Sequence, residues 1–234
     1  MKKFADICAE CCEANRLLPK TGLVDLTFGN VSVLDEKAGV FAIKPSGVAY
    51  DKLKPADMVL VDLDGKIVAG KLKPSSDTPT HRRLFRAFNG VRSIVHTHSR
   101  HAVAFAQAAH EIPNLGTTHA DYFDGAVPLT RALTPAEIAK DYEWETGNVI
   151  VERFKDLNAL DVPAVLVRHH GVFVWGASAK KAIETAQALE AIAQMALWTL
   201  QLQPAMPPIP KALHEKHFRR KHGKTAYYGQ GGNC

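Results

Sequence analysis

The chain has 234 residues, 46% of them hydrophobic and 23% charged, with 16 Gly and 13 Pro. This is the make-up of a globular domain able to bury about 70% of its unfolded surface without disulfide support. No run of 18 apolar residues occurs, which excludes a membrane-spanning helix. Asp6, Glu10 and Glu13 interrupt the basic start Met1-Lys2-Lys3-Phe4 before the apolar run of a secretory leader can form. The net charge of +5 is local: between residues 211 and 224, Lys211, Lys216, Arg219, Arg220, Lys221 and Lys224 face one acid, Glu215, and the rest of the chain balances to zero. Nothing basic and aromatic recurs elsewhere, so a nucleic-acid surface is a remote reading and a solvated helix face the ordinary one. Cys8, Cys11 and Cys12 are too close together to close useful loops. They read as small apolar packing in a helix, and reduced thiols without a leader point to the cytoplasm.

In chain order, Phe4, Ile7, Cys11 and Leu18 recur at helical spacing, with Pro19 and Gly22 marking the end of that helix. Residues 24–34 read as a strand interrupted at Gly29-Asn30, with Val40–Ile43 as its partner across a turn at Ala38-Gly39. Pro45-Ser46-Gly47 is a further turn. Met58–Val61 and Lys66–Val68 form a hairpin around Asp64-Gly65. Lys73 to Pro79 is a loop feeding a helix, with Asp77 or Thr78 near its cap and Pro79 in its first turn. Ser93–His96 is a short strand, Ala102–Ala109 a helix, and Pro135–Lys140 begins another. Ala164–Val167 and Val172–Trp175 are strands flanking Arg168-His169-His170-Gly171. A long amphipathic helix runs from Ser178 to Leu202, and four prolines (Pro204, Pro207, Pro208, Pro210) separate it from the basic tail. Hairpins mixed with helices predict an α/β domain in the loose sense, with a mainly antiparallel sheet covered by helices.

Eleven histidines are present, and three are placed suggestively. His96-Thr97-His98 ends an apolar strand, where residues two apart face the same way and can grip one cation. By itself the spacing describes two surface histidines equally well. His170, in a turn before Gly171, is a third donor. Three imidazoles leave one tetrahedral position open, the arrangement of a catalytic zinc site. Asp77 is a fourth ligand, a base just behind the ligands, or simply a helix cap. Gly29-Asn30, Ser46-Gly47 and Ser75-Ser76 all lie in turns where backbone N–H groups and short polar side chains can meet an anion, and Lys44 stands beside the second turn. Each fragment alone is an ordinary turn pair.

Several blocks, taken in order, resemble the class II aldolase/epimerase family: Asp25-Leu26-Thr27-Phe28-Gly29-Asn30-Val31-Ser32, Ile43-Lys44-Pro45-Ser46-Gly47-Val48, Lys73 through His81, Val95-His96-Thr97-His98-Ser99-Arg100, Gly116 through Phe123, Glu143 through Asn148, His170-Gly171, Lys221-His222-Gly223 and Ala226 through Gln230. The likeness runs from the first helix to Gln230, which implies one domain over residues 1–230 and four extra residues, 231–234. It implies Zn2+ held by His96, His98 and His170 with Asp77 in or beside the ligand set, Mn2+ or Co2+ being accepted by the same imidazoles. It implies a phosphate cradle of Gly29, Asn30, Lys44, Ser46, Gly47, Ser75 and Ser76. Asp121 and Tyr228 are implied as an acid/base pair, with His217 as a cation that would help Tyr228 exchange a proton. Spacing alone singles out none of these last three. The expected activity is C4 epimerisation between L-ribulose 5-phosphate and D-xylulose 5-phosphate by retro-aldol cleavage of C3–C4, rotation of the aldehyde and recondensation. The alternative is a sugar-phosphate aldolase. The family's aldolases carry a glutamate where this chain has Asp77, and the shorter arm favours the epimerase. A homotetramer with the tail (211–230) reaching a neighbouring site is also implied, and no nucleic-acid or membrane partner is expected.

Overall fold

The computed structural model describes residues 2–222 together with Ala226 and Tyr227. The first helix, α1 (Ala5–Leu17), is followed by a 3-10 turn that ends at Gly22, whose φ of +74° suits a residue without a Cβ. Its cysteines are buried and unpaired, as expected. The Cys11 thiol donates to the carbonyls of Val31 and Ala42, and Asn15 both donates to the Val31 carbonyl and accepts from the Val31 N–H. These contacts dock α1 on the two strands that follow, β1 (Asn30–Asp35) and β2 (Val40–Ile43).

The expected strand over 24–34 therefore begins only at Asn30. Residues 24–29 form a loop, because Leu26 (φ +53°) and Gly29 (φ +89°) turn left-handed and the Phe28 N–H closes a turn on the Asp25 carbonyl. Strands β3 (Val59–Asp62) and β4 (Ile67–Ala69) make the predicted hairpin, and helix α2 (Thr78–Ala87) follows with Pro79 in its first turn. Then come β5 (Ser93–Thr97), α3 (Arg100–Gln107), the short α4 (Thr117–Ala120), which the sequence reading had not anticipated, and α5 (Pro135–Arg153). The hairpin β6 (Ala164–Leu166) and β7 (Val172–Gly176), the long α6 (Ala179–Leu202) capped by Ser178, and α7 (Lys211–Lys221) complete the order.

The seven strands form one sheet in the order β4-β3-β2-β1-β5-β7-β6, every adjacent pair antiparallel. This is the expected single α/β domain with an antiparallel sheet covered by helices. α1 and α6 pack on one face. On the other, α2 lies against α5, with Phe85 on Phe41 and with Phe88 and Phe154 on Trp175, ring centroids 4.9–5.3 Å apart. Among the described residues no helix is long and apolar enough to cross a membrane.

The register determines what meets at one end of this sheet. Asn30, at the start of β1, pairs with His96, near the end of β5. Thr97 pairs with Val172, which places the β6–β7 turn beside them. β2 runs antiparallel to β1, so its exit, Lys44-Pro45, leaves at the same end. There the segment 73–75 joins it, through Ser46 N–H to the Lys73 carbonyl (2.9 Å) and Ser75 N–H to the Lys44 carbonyl (3.0 Å).

Candidate active site

A cavity of about 360 Å³ opens at that sheet end. Its walls include all eleven residues that the sequence reading assigned to the metal and phosphate roles: Gly29, Asn30, Lys44, Ser46, Gly47, Ser75, Ser76, Asp77, His96, His98 and His170, joined by Thr27, Phe28 and Pro45. Sequence distance between them is large, and the antiparallel register is what brings them together.

One nitrogen from each of His96, His98 and His170 lies within 4.8 Å of the others, and the Nε2 atoms of His96 and His98 are 3.1 Å apart. Two nitrogens about 2.0–2.1 Å from a tetrahedral Zn2+ would stand about 3.4 Å apart, so the His96–His98 pair has the spacing such an ion needs, and His170 is near enough to supply a third nitrogen. Two of the rings are held from behind. His96 donates from Nδ1 to the Val172 carbonyl (2.9 Å), which selects Nε2 as the free donor, and its ring stacks on Phe173. His170 Nδ1 lies 3.3 Å from the Tyr142 hydroxyl. The backbone of α5 breaks at Asp141 (φ −150°, ψ 76°), immediately before Tyr142. Burial, reinforced by the neighbouring imidazoles, holds His98 below its ordinary pKa and pushes His170 down to about 4, so the lone pairs stay available near neutrality. Gly171 has no room for a side chain: a Cβ there would stand 2.8 Å from the Thr97 carbonyl and 3.0 Å from both the His96 and His98 rings.

Asp77 occupies the position before α2, but its side chain makes no capping bond. Its Oδ2 instead accepts from Asn30 Nδ2 at 2.7 Å, and Asn30 also donates to Ser75 Oγ at 3.1 Å. Burial raises its pKa, but His96, His81 and the Asn30 amide outweigh that effect, and the carboxyl titrates below its ordinary value. The tight cluster of nitrogens comprises the three imidazoles, and Asp77 faces the same cavity beside them. One turn into α2, His81 is fully buried, bonded through Nδ1 to Ser32 Oγ (2.7 Å) and pushed down to about 3 by burial. Lys44 is buried, no carboxylate pairs with it among the described residues, and desolvation lowers its pKa. It is a cation that lines the cavity.

Asp121 and His217 do not line this cavity. Asp121, at the end of α4, is buried and held by the tail helix: Arg220 donates to both its carboxylate oxygens (2.6 and 3.0 Å), His217 Nδ1 lies 3.1 Å away, and Lys221 Nζ 3.5 Å. Burial opposes its charge, but the bonds from Arg220 and His217 prevail and its pKa lies below the ordinary range. Tyr228 lies outside the described residues. Sequence reasoning had not singled out Tyr142 or Arg220. An aromatic residue inside a helix and one arginine in a basic run carry no local signal of their target, and only the helix break at Asp141 and the packing of α7 on α4 supply it.

Residues 9–197 match the model of the Class II Aldolase and Adducin N-terminal domain, and the chain belongs to that family. It is 50% identical over 218 residues to the L-ribulose-5-phosphate 4-epimerase UlaF of Salmonella paratyphi B, covering 93% of this chain and 96% of that one, and the UlaF proteins of Salmonella typhi and Salmonella choleraesuis match equally well. Among solved structures, an L-fuculose 1-phosphate aldolase shares the fold, with a TM-score of 0.78 at 22% identity over 92% of this chain and 95% of that one. The L-fuculose-1-phosphate aldolase of Thermus thermophilus superposes with a TM-score of 0.66 at 29% identity, covering 86% of this chain and 98% of that one.

Proposed function

We propose that this chain is a metal-dependent C4 epimerase that interconverts L-ribulose 5-phosphate and D-xylulose 5-phosphate. The observation that carries the reading is one cavity whose lining combines three converging imidazoles with a buried lysine and the serine- and glycine-bearing turns. A sugar phosphate needs both: an anchor for the phosphate at one end and an electrophile at the ketone end. The UlaF proteins, half identical over almost the whole length, support the choice of substrate.

The donor set His96, His98 and His170 would hold the cation, Zn2+ by preference for three nitrogens with an open position, with Asp77 as a fourth ligand or a base beside it. When bound, that ion supplies Lewis-acid polarisation of the ketone. C4 has no carbonyl beside it, so its proton cannot be removed directly. The C2 ketone activates the C3–C4 bond instead, and cleavage leaves a glycolaldehyde phosphate. Lys44, Ser46, Ser75 and the Gly29-Asn30 turn keep that fragment bound by its phosphate while its aldehyde turns over, and recondensation on the other face inverts C4. Asp121, which lies outside the cavity of its own copy and would reach that of a neighbour together with the tail helix that holds it, and Tyr228 take and return the C4 hydroxyl proton on opposite faces, with His217 next to Asp121 setting its position. Asp77, one methylene shorter than a glutamate, stays tied to Asn30 and does not deliver a proton to the cleaved three-carbon fragment, so the fragments rejoin.

We also propose a homotetramer in which the tail of one copy completes the cavity of the next. Trp198, Leu202 and Met206 at the end of α6 and beyond it are 52%, 89% and 41% exposed, an apolar band suited to a second copy. The free thiols of α1 suit the cytoplasm. Epimerisation of L-ribulose 5-phosphate, abolished by chelator and restored by Zn2+, tests the reading. Net release of dihydroxyacetone and glycolaldehyde phosphate without pentulose interconversion refutes it in favour of an aldolase, and full specific activity on dilution to monomers refutes the shared site.

A further inference from the structure

Tyr50 follows the Pro45-Ser46-Gly47 turn and does not line the cavity, yet it touches two of the elements that do. Its side chain is buried, with 5% exposure. Its hydroxyl lies 2.7 Å from the Phe28 carbonyl and 2.8 Å from the Gly29 carbonyl, sharing one proton between them. Its ring lies under Lys44, whose Nζ is 4.9 Å from the ring centroid. Burial raises the phenol well above its ordinary pKa, so it remains a donor at any working pH.

The geometry has a direct consequence for the 28–30 turn. In a trans peptide the N–H points opposite to the C=O. Holding the Phe28 carbonyl toward Tyr50 therefore sends the Gly29 N–H away from Tyr50, and Gly29, unlike Tyr50, faces the cavity. From the other side the turn is wedged against the sheet: a Cβ on Gly29 would stand 2.7 Å from the His96 carbonyl. The turn at 28–29 thus has the sheet as a wall on one flank and the Tyr50 hydroxyl bonded to both of its carbonyls. The same ring gives the buried Lys44 ammonium, which also donates to the Pro45 carbonyl (3.4 Å), an electron-rich surface, and among the described residues no carboxylate competes there with an incoming anion.

We propose that Tyr50 is a positioning residue for anion binding: its hydroxyl aims the Gly29 N–H, and its ring places the Lys44 ammonium, at the phosphate of the substrate. The inference rests on the reading of this cavity as a sugar-phosphate site. It predicts that Tyr50→Phe weakens the binding of inorganic phosphate to the full-length, zinc-loaded protein about tenfold and raises KM for the sugar phosphate by a similar factor, with kcat changed less than about threefold. A generally loosened fold would instead lower kcat and zinc content together. In wild-type protein, the Gly29 amide resonance should move on addition of phosphate, a measurement that does not depend on how the variant folds. Phosphate affinity within twofold of wild type in zinc-replete Tyr50→Phe, or an unmoved Gly29 amide while phosphate binds, overturns the role of Tyr50 and leaves the phosphate site standing. Wild-type protein that binds no phosphate, or binds it equally well after Lys44→Met, overturns the phosphate site and Tyr50's role with it.

Discussion

Gly171→Ala is the sharpest test of whether the three imidazoles form one rigid site. Gly171 does not adopt a left-handed backbone, so alanine is not strained for conformational reasons. The effect must come from the added methyl. That carbon would meet the Thr97 carbonyl at 2.8 Å and the His96 and His98 rings at 3.0 Å, against about 3.4 Å for ordinary contact. Relief needs about 0.4–0.6 Å of movement. The carbonyl belongs to a central strand and cannot give easily, so the rings move. Metal–ligand distances tolerate only about 0.2 Å, and the shift is two to three times that. Zinc affinity should fall about 10- to 100-fold, equivalent to about 1.4–2.8 kcal/mol, with an overpacking cost of about 1–3 kcal/mol on the fold. Competition with a chromophoric chelator measures the affinity, and the absorption of the Co2+-substituted protein reports the ligand geometry. Gly147→Ala is the control. Its Cβ would press on Arg83 at 2.6 Å where α2 and α5 meet, costing stability without touching a ligand. Zinc affinity within twofold of wild type in Gly171→Ala would refute the rigid-triad reasoning.

Tyr142→Phe removes the hydroxyl behind His170 and should weaken zinc binding about tenfold while the melting temperature of the metal-free protein changes little; unchanged affinity would show that the contact does not orient the ring. Asp77→Glu lengthens the arm that Asn30 now restrains and should divert turnover toward free dihydroxyacetone and glycolaldehyde phosphate, read by product analysis; a variant that still only epimerises removes the chain-length argument. Acid should destabilise the metal-free protein in a defined window. Buried His81 and His119 are neutral in the fold, pushed down to about 3 and about 4, whereas in the unfolded chain they bind protons from about pH 6.5. The unfolded state therefore gains protons first as pH falls, stability is lost from about pH 6.5 downward, and each histidine withdraws about 2 kcal/mol by pH 5. Urea unfolding at pH 7.5 and pH 5 measures this. A flat profile, or the same drop in His119→Gln, contradicts it.

Much of the cavity was readable only because several weak local signals fall in the order of the class II aldolase/epimerase family, since each alone describes an ordinary turn or a surface histidine pair. The two-residue spacing of His96 and His98 at a strand end, the glycine after His170 and the Ser/Gly turns each have a physical reason to be where they are, and the alternation of apolar residues placed their strands. What could not be read was contact that depends on tertiary packing. Residues 24–29 looked like strand because Val24, Leu26 and Phe28 alternate, but the left-handed Leu26 and Gly29 break the pairing, and Leu26 and Phe28 are exposed rather than buried. Helix α4 has four residues and no periodicity to detect. The partners of Asp121 were legible only as a basic run, since nothing in the order Lys-His-Phe-Arg-Arg-Lys says which of its cations will turn inward. α7 answers this by presenting His217, Arg220 and Lys221 to one carboxylate while Lys216 and Arg219 remain exposed.

Asn30 links the imidazole side of the cavity to the turn before α2. Its backbone is fixed by register against His96, a candidate metal ligand. Its amide nitrogen is committed to Asp77 and Ser75. Because an ionised carboxylate only accepts, the contact with Asp77 decides which way the amide faces, and the remaining atom, Oδ1, is a buried acceptor without a partner among the described residues. An aspartate at position 30 would set a second negative charge against Asp77, and a leucine would remove the amide donor from both, leaving only the longer 3.4 Å contacts between Ser75 and Asp77. One side chain thus joins the sheet, the loop before α2 and the carboxylate beside the imidazoles. For a reaction in which one fragment must turn over while the other stays in place, a fixed distance between anchor and electrophile lets the fragments meet again. In this fold the pairing of Asn30 with His96 in the sheet, and the bonds of its amide to Asp77 and Ser75, are what tie the imidazole end of the cavity to the turn before α2.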